Sequence, residues 1–354
     1  MNNSIKPGQV WLDTEGKRIQ AHGAQVFYEN GTYYWVGENK ERTTGEDKIW
    51  TWGIRLYASK DLYNWKDEGL IVEPDTKNED SPLHPFRQMD RPHILYNEKT
   101  KKYVLWLKYC DGAHYAVLVA DNLKGKYEMV NPCYRPFDVD CGDYDLQKDE
   151  KTGEAYLYFE VNHTDLWGAK LNDDYTGVCG EYSMIYQGKK PPFTREAPAH
   201  FARNGKHYIV TSGMTGYLPN PSEVTVAEDW LNGYEVQGDP HVNDKSRTSF
   251  HSQISCVFKV HDKDMYIAIA DRWVPDQVNV DYDGGYGISG ELRKKVMGKV
   301  IAMGINPQTE PQRAMREAIK LLERQNTSIA DYVWLPIQFE GEEVKIKWID
   351  EWTV

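Results

Sequence analysis

One hairpin pattern is written into this chain five times. Each copy has a turn carrying Gly or Lys, then a tyrosine inside an alternating strand. The copies are Asn30-Gly31-Thr32-Tyr33-Tyr34-Trp35, Lys101-Lys102-Tyr103-Val104, Gly153-Glu154-Ala155-Tyr156, Asn204-Gly205-Lys206-His207-Tyr208 and Lys263-Asp264-Met265-Tyr266. The tyrosines at 34, 103, 156, 208 and 266 lie 69, 53, 52 and 58 positions apart. A period of this size signals an array of similar units, each burying its apolar face against the next.

Apolar strands precede the turns, as at 25–28 and 93–96, and others follow, as at 54–58 and 115–120. Four short antiparallel strands per unit make a propeller blade. The expected fold is all-β, a five-bladed β-propeller occupying 1–354 as a single domain. A β-sandwich of similar strands offers no reason for the repeat. Residues 288–327 break the pattern, with Ala314, Ile319, Leu321 and Leu322 at helical spacing among Arg, Glu and Lys. They are expected to form a helical insertion in the last blade, either shaping a pocket rim or, the favoured reading, making a homodimer contact. Strand resumes at 331–336, and 344–348 is expected as an edge strand guarded by lysines. The N-terminal segment is expected to close the ring against the last blade.

The net charge of −12 argues against a nucleic-acid partner, whose phosphates need clustered Lys and Arg. Aromatic residues make up 13% of the chain, with 24 Tyr and 12 Trp. That suits strands and suits stacking against sugar rings equally well. The N-terminus lacks the basic segment and apolar core of a signal peptide, and no apolar run reaches the roughly 20 residues of a membrane span. Five cysteines, an odd number without a Cys-x-x-Cys pair, point away from zinc and from a disulfide framework. A cytoplasmic location and no membrane partner are expected. A secreted form whose signal has been removed would read the same.

In a propeller the innermost strand of each blade lines the channel, so function belongs at the starts of those strands. They read Gln20-Ala21-His22-Gly23, Asp90-Arg91-Pro92, Gly142-Asp143-Tyr144-Asp145, Arg195-Glu196-Ala197-Pro198 and Ser249-Phe250-His251-Ser252-Gln253. All five are polar clusters.

With Arg195-Glu196-Ala197-Pro198, Asp90-Arg91-Pro92-His93-Ile94, Tyr33-Tyr34-Trp35-Val36-Gly37-Glu38, Asp271-Arg272-Trp273 and Tyr332-Val333-Trp334-Leu335-Pro336, the chain resembles glycoside hydrolase family 43. It is most similar to the exo-β-1,3-galactanase branch. The resemblance runs from about residue 10 to 340 and implies an inverting exo-glycosidase acting on galactan or galacto-oligosaccharides. Inversion needs a proton donor and a group that activates water on the opposite face. Glu196 matches the family's general acid, and Asp143 the carboxylate that tunes it, with Asp145 as a competing assignment. Most members carry an Asp in the first blade, where this chain has Gln20-Ala21-His22-Gly23. In the galactanase branch a glutamine is thought to position or activate the water, and Gln253 matches it. Asp90 replaces a Glu of that branch and is implied as a ligand of a sugar hydroxyl first and a reserve base second.

The resemblance also implies sugar contacts at Glu38, Tyr115, Thr215 and Tyr217, the last in place of a Trp. Glu223 and Arg272 follow as polar neighbours. Each is equally readable as structural. No cofactor is required. Many family members hold a channel calcium near a histidine, so His22 or His251 would serve if calcium is present, although no Asp-rich loop is evident. A hydrogen-bonded channel histidine is the plainer reading. Two other functions stay open: a family-43 arabinofuranosidase, xylosidase or galactofuranosidase, and a sugar-binding propeller without catalysis.

Overall fold

Alternation of inward and outward residues folds consecutive segments into antiparallel meanders, and five such sheets stand around one axis. The computed structural model describes residues 1–109, 113–277, 281–282, 284, 290–323 and 325–354. Blade 1 is β1 (His22–Glu29), β2 (Thr32–Glu38), β3 (Ile54–Ser59) and β4 (Lys66–Val72). Blade 2 is β5 (Met89–Asn97), β6 (Lys102–Tyr109), β7 (His114–Ala120) and β8 (Glu128–Tyr134). Blade 3 is β9 (Cys141–Lys148), β10 (Ala155–Val161), β11 (Asp165–Leu171) and β12 (Val178–Tyr186). Blade 4 is β13 (Arg195–Arg203), β14 (Lys206–Gly213), β15 (Glu223–Ala227) and β16 (Glu235–Gly238). Blade 5 has β18 (Gln253–Lys259), β19 (Tyr266–Arg272), β20 (Asp331–Glu340) and β21 (Glu343–Lys347) in order, with β17 (His241–Val242) on its outer side. Each repeated hairpin is the first two strands of its blade, and the five-bladed reading of the repeat holds.

The expected insertion lies between β19 and β20 as α1 (Gly290–Ala302) and α2 (Pro311–Glu323). The two helices pack on each other through Val296, Val300, Ile305, Ala314 and Ala318, a small core of their own. Ile288, Ser289, Arg324 and Cys110 lie outside the described residues. Cys133, Cys141, Cys179 and Cys256 are free thiols. No helix among the described residues is long and apolar enough to cross a membrane.

Ring closure joins blades 1 and 5. Trp35, Trp65, Phe258, Tyr332 and Trp334 pack in one cluster with Ile5 and Ile19 of the N-terminal segment. Ile5 forms an antiparallel bridge with Trp352, and the Gly8 N–H donates to the Tyr332 carbonyl at 2.7 Å. One expectation fails. β21 is not a bare edge guarded by lysines, because β17 pairs with it in parallel, His241 opposite Ile346 and Val242 opposite Lys347. A segment from between blades 4 and 5 thus caps the edge that would otherwise template aggregation.

Close contact between neighbouring segments fixes one glycine. A Cβ on Gly37 of β2 would stand 2.2 Å from the Ala21 carbonyl carbon and 2.5 Å from its Cα. Backbone cannot swing aside as a flexible side chain can. Gly37→Ala is therefore expected to cost about 3 kcal/mol or more of unfolding free energy, read from urea denaturation.

Candidate active site

The channel-lining strands bulge at their starts. The ladder slips between His22 and Gln25 on β1, between Asp90 and His93 on β5, and between Glu196 and Ala199 on β13. The next residues, Gly23, Arg91 and Ala197, adopt left-handed backbone with φ of 53°, 52° and 50°. A bulge re-aims side chains, and left-handed non-glycine residues persist only where their surroundings enforce them. His22, Asp90 and Glu196 therefore hold equivalent positions in blades 1, 2 and 4. On β9 the slip falls opposite Glu160 and turns Asp143 into the channel. Gln253 opens β18, opposite Asp271.

These strand starts bring two carboxyl groups into opposite states. Arg91 Nε lies 2.9 Å from Asp143 Oδ2, and Lys108 Nζ donates to Oδ1 at 2.5 Å. Burial would raise the Asp143 pKa, but the two cations overturn that and hold it at about 2. Glu196 moves the other way. Burial raises its pKa and the Asp143 charge adds to the rise, against Lys108 and Arg91, leaving it at about 8. The two carboxyls are thus pushed apart, Asp143 toward the anion and Glu196 toward the acid. Asp145, two residues along β9, is committed elsewhere. It is fully buried, 3.1 Å from His93 Nε2, and accepts the His200 N–H at 2.6 Å.

Gln253 joins the two. Its Oε1 accepts from Arg91 Nη2 at 2.9 Å and from Trp273 Nε1 at 3.2 Å. Both partners are obligate donors, which orients the amide. Its Nε2 then faces Ser212 Oγ at 2.9 Å and Glu196 Oε1 at 3.3 Å.

A second buried cluster adjoins the first. Glu38 accepts the Arg91 backbone N–H at 2.9 Å and pairs with Lys40 Nζ at 2.8 Å. Burial raises the Glu38 pKa, Lys40 opposes and Asp90 adds, giving about 8. Asp90 accepts from Trp50 Nε1 at 2.6 Å and lies 3.6 Å from Lys40 Nζ. Above these groups Tyr217 leans toward Trp50 and Trp273, with ring centroids 5.7 and 5.3 Å apart. Below them His22, Asp271, His93 and Asp145, all buried, fill the channel. Beyond that plug the opposite end opens as a cavity of about 440 Å³, lined in part by Tyr96, Glu98 and Lys148.

Glu196, Asp143, Gln253, Glu38 and Asp90 thus converge, with Tyr217 on the wall. The remaining candidates are placed differently. Tyr115 has no exposed surface for a sugar. It packs against Trp106 and Tyr144, and its hydroxyl donates to the Gly142 carbonyl at 3.0 Å, which steadies the strand start before Asp143. Arg272 donates to the Phe250 carbonyl at 3.0 Å, crowds Gly8 and lies over the Trp348 ring, so it ties the N-terminal segment to blade 5. Thr215 is buried, bonded to Leu218 and Asn220 within its own loop. Glu223 accepts from the Tyr186 hydroxyl at 2.7 Å and stands 4.0 Å from Arg195, behind the acid.

His22 does not fit calcium. Both His22 ring nitrogens have protein partners, Asp271 at 2.9 Å on one side and Gln20 and Tyr332 at 3.2 Å on the other. His251 lines the pocket beside Gln253 and Trp273, its pKa lowered by burial and then by Arg272. Among the described residues no three His, Cys, Asp or Glu side chains gather as a metal site.

Arg91, Lys108, Lys40, Trp50 and Trp273 are the site residues that motif reading passed over. Their signal was indirect. Buried carboxylates need counter-ions, so a channel lined by several of them requires buried cations.

Residues 18–272 match Glycosyl hydrolases family 43. No curated protein matches the sequence. Among solved structures, the family-43 β-1,3-galactosidase BT0265 is 28% identical with a TM-score of 0.77, covering 100% of this chain and 64% of its own. This chain therefore spans just under two thirds of that relative's length. The β-1,3-galactosidase BT3683, with galactodeoxynojirimycin, is 25% identical with a TM-score of 0.76, covering 99% and 100%. The exo-β-1,3-galactanase of Phanerochaete chrysosporium with β-1,3-galactotriose is 22% identical, with a TM-score of 0.78 over 100% and 68%, a likeness of fold. With the match running from the first blade to β19, and Asp143 and Glu196 both inside it, the chain belongs to glycosyl hydrolases family 43.

Proposed function

We propose that this protein releases galactose from the non-reducing end of β-1,3-linked galactan or its oligosaccharides, with inversion at the anomeric carbon. The observation that carries the reaction type is Glu196, bonded to Gln253, near a doubly cation-paired Asp143 at a plugged channel mouth, an arrangement that favours the protonated acid. The sugar and linkage rest on likeness to BT0265 and BT3683, both β-1,3-galactosidases by name.

In this reading Glu196 gives its proton to the glycosidic oxygen as that bond breaks. Water adds to the anomeric carbon from the opposite face and loses a proton. Asp143 keeps its charge throughout and so keeps Glu196 protonated beforehand. Asp90 occupies the bulge position of blade 2 equivalent to that of Glu196 in blade 4, and its Oδ1 accepts from Trp50 Nε1 at 2.6 Å. We assign Asp90 to receive the proton of the attacking water. Gln253 is unsuited to that, because its oxygen already accepts two hydrogen bonds. It holds the Glu196 carboxyl in place instead. Arg91 Nη1, buried without a partner among the described residues, is a donor for a sugar hydroxyl. Tyr217, Trp50 and Trp273 supply the stacking wall. Calcium has no part in these steps.

Incubation with β-1,3-galactobiose tests the reading, with the newly formed sugar followed by proton NMR. Galactose appearing first as the α-anomer supports it. Binding without release, or release of arabinose or xylose alone from their glycosides, overturns it. Asp90→Asn is expected to lose about 100-fold in kcat/KM, the contribution of a positioned base, while Gln253→Ala loses much less. The reverse ranking returns proton acceptance to Gln253.

A further inference from the structure

Glu196 must stand at the scissile oxygen, so the pocket sugar lies to one side of its carboxyl and the leaving sugar to the other. Arg91, Asp143, Gln253 and the aromatic wall account for the pocket side. The lead into β13 builds the other. There Phe193 is 56% exposed. A lone exposed Phe means little, but this one stands on a firmly held turn. Its N–H donates to the Lys190 carbonyl at 2.8 Å, closing a turn around Pro191 and Pro192. The Met214 N–H donates to the Pro192 carbonyl at 2.8 Å, and that oxygen stands 2.9 Å from where Gly213 would carry a Cβ, so the turn is pressed onto the end of β14. Thr194 Oγ1 ties the next residue to the His163 carbonyl at 2.7 Å. Two prolines and three hydrogen bonds therefore brace the backbone that carries an exposed ring three residues from the acid, within about 11 Å along the chain. The apolar face of a pyranose stacks on such a ring, and a braced backbone lowers the entropy cost of presenting it.

We propose that Phe193 is the platform on which the leaving-group sugar stacks, and that it sets the preference for oligosaccharides over galactosides with small leaving groups. The proposal rests on the galactosidase reading above. β-Galactosyl fluoride fills the pocket alone, whereas β-1,3-galactotriose also reaches Phe193. In Phe193→Ala the ratio of kcat/KM for galactotriose over that for galactosyl fluoride is expected to fall about tenfold, mostly through KM, as loss of one stacking contact implies. Phe193→Tyr is expected to restore it. An unchanged ratio in the alanine variant, or a tyrosine variant that behaves like alanine, overturns the proposal. Because a misfolded fraction lowers both activities together, the ratio is insensitive to it. A wild-type protein that hydrolyses neither substrate sinks the galactosidase reading itself, a result distinct from an unchanged ratio.

Discussion

Glu196→Gln is expected to release galactose from β-1,3-galactobiose about a thousandfold more slowly than the wild type, within the range that a positioned general acid contributes. A sugar alkoxide is a poor leaving group, so its departure depends on the proton that Glu196 holds in this reading. With galactosyl fluoride, whose leaving group needs little protonation, the loss should shrink to a few-fold. Equal losses on both substrates would show that Glu196 acts by shaping the pocket. In the wild type kcat/KM should fall as pH rises through about 8, where Glu196 ionises, and that limb should vanish in the variant. Stability should carry the same signature. The folded-state pKa lies above the ordinary 4.5, so the stabilisation linked to this proton is complete below 4.5 and is lost as pH rises through about 8. The Tm of Glu196→Gln should therefore exceed that of the wild type by more at pH 8 than at pH 4.5.

Asp143→Asn should lose on the order of 100-fold in kcat/KM at pH 7, by a different route. Burial is the largest influence on Glu196 and remains. The neighbouring anion disappears, while Arg91 and Lys108 stay and now act on Glu196 without the Asp143 charge against them. Both changes favour ionised Glu196, so the alkaline limb should move to lower pH and activity should partly return in acid. The variant should also melt lower, because breaking a buried pair leaves charge uncompensated. A variant with an unmoved alkaline limb would separate Asp143 from the acid's protonation.

Much of the fold was legible because a repeat survives drift better than any single contact. The five hairpins gave the blades, and the blades marked the strand starts where Glu196, Asp143 and Gln253 meet. Tyr115 shows what pattern matching misses. It lies on β7, not on a channel strand, and its buried ring reaches the site only through the Gly142 carbonyl. Arg272 sits beside Trp273 in sequence, yet β19 ends between them and the two side chains go to different tasks. Arg91 was visible as a letter of Asp90-Arg91-Pro92, but its left-handed backbone is what brings Nε to Asp143 and Nη2 to Gln253. Nor could sequence show that the Gln253 oxygen is already taken, since Arg91 and Trp273 come from other strands and loops. The pairing of β21 by β17 escaped for the same reason. A two-residue strand carries no periodicity.

The buried plug of His22, Asp271, His93 and Asp145 beneath the pocket bears on how a polymer is consumed. If the protein is the exo-galactosidase proposed above, a freed monosaccharide leaves by the mouth in which the shortened glycan stands. Each turnover is then expected to end with the whole chain letting go. Digestion is expected to be distributive, with monosaccharide accumulating from the first minutes while mean chain length declines slowly and evenly.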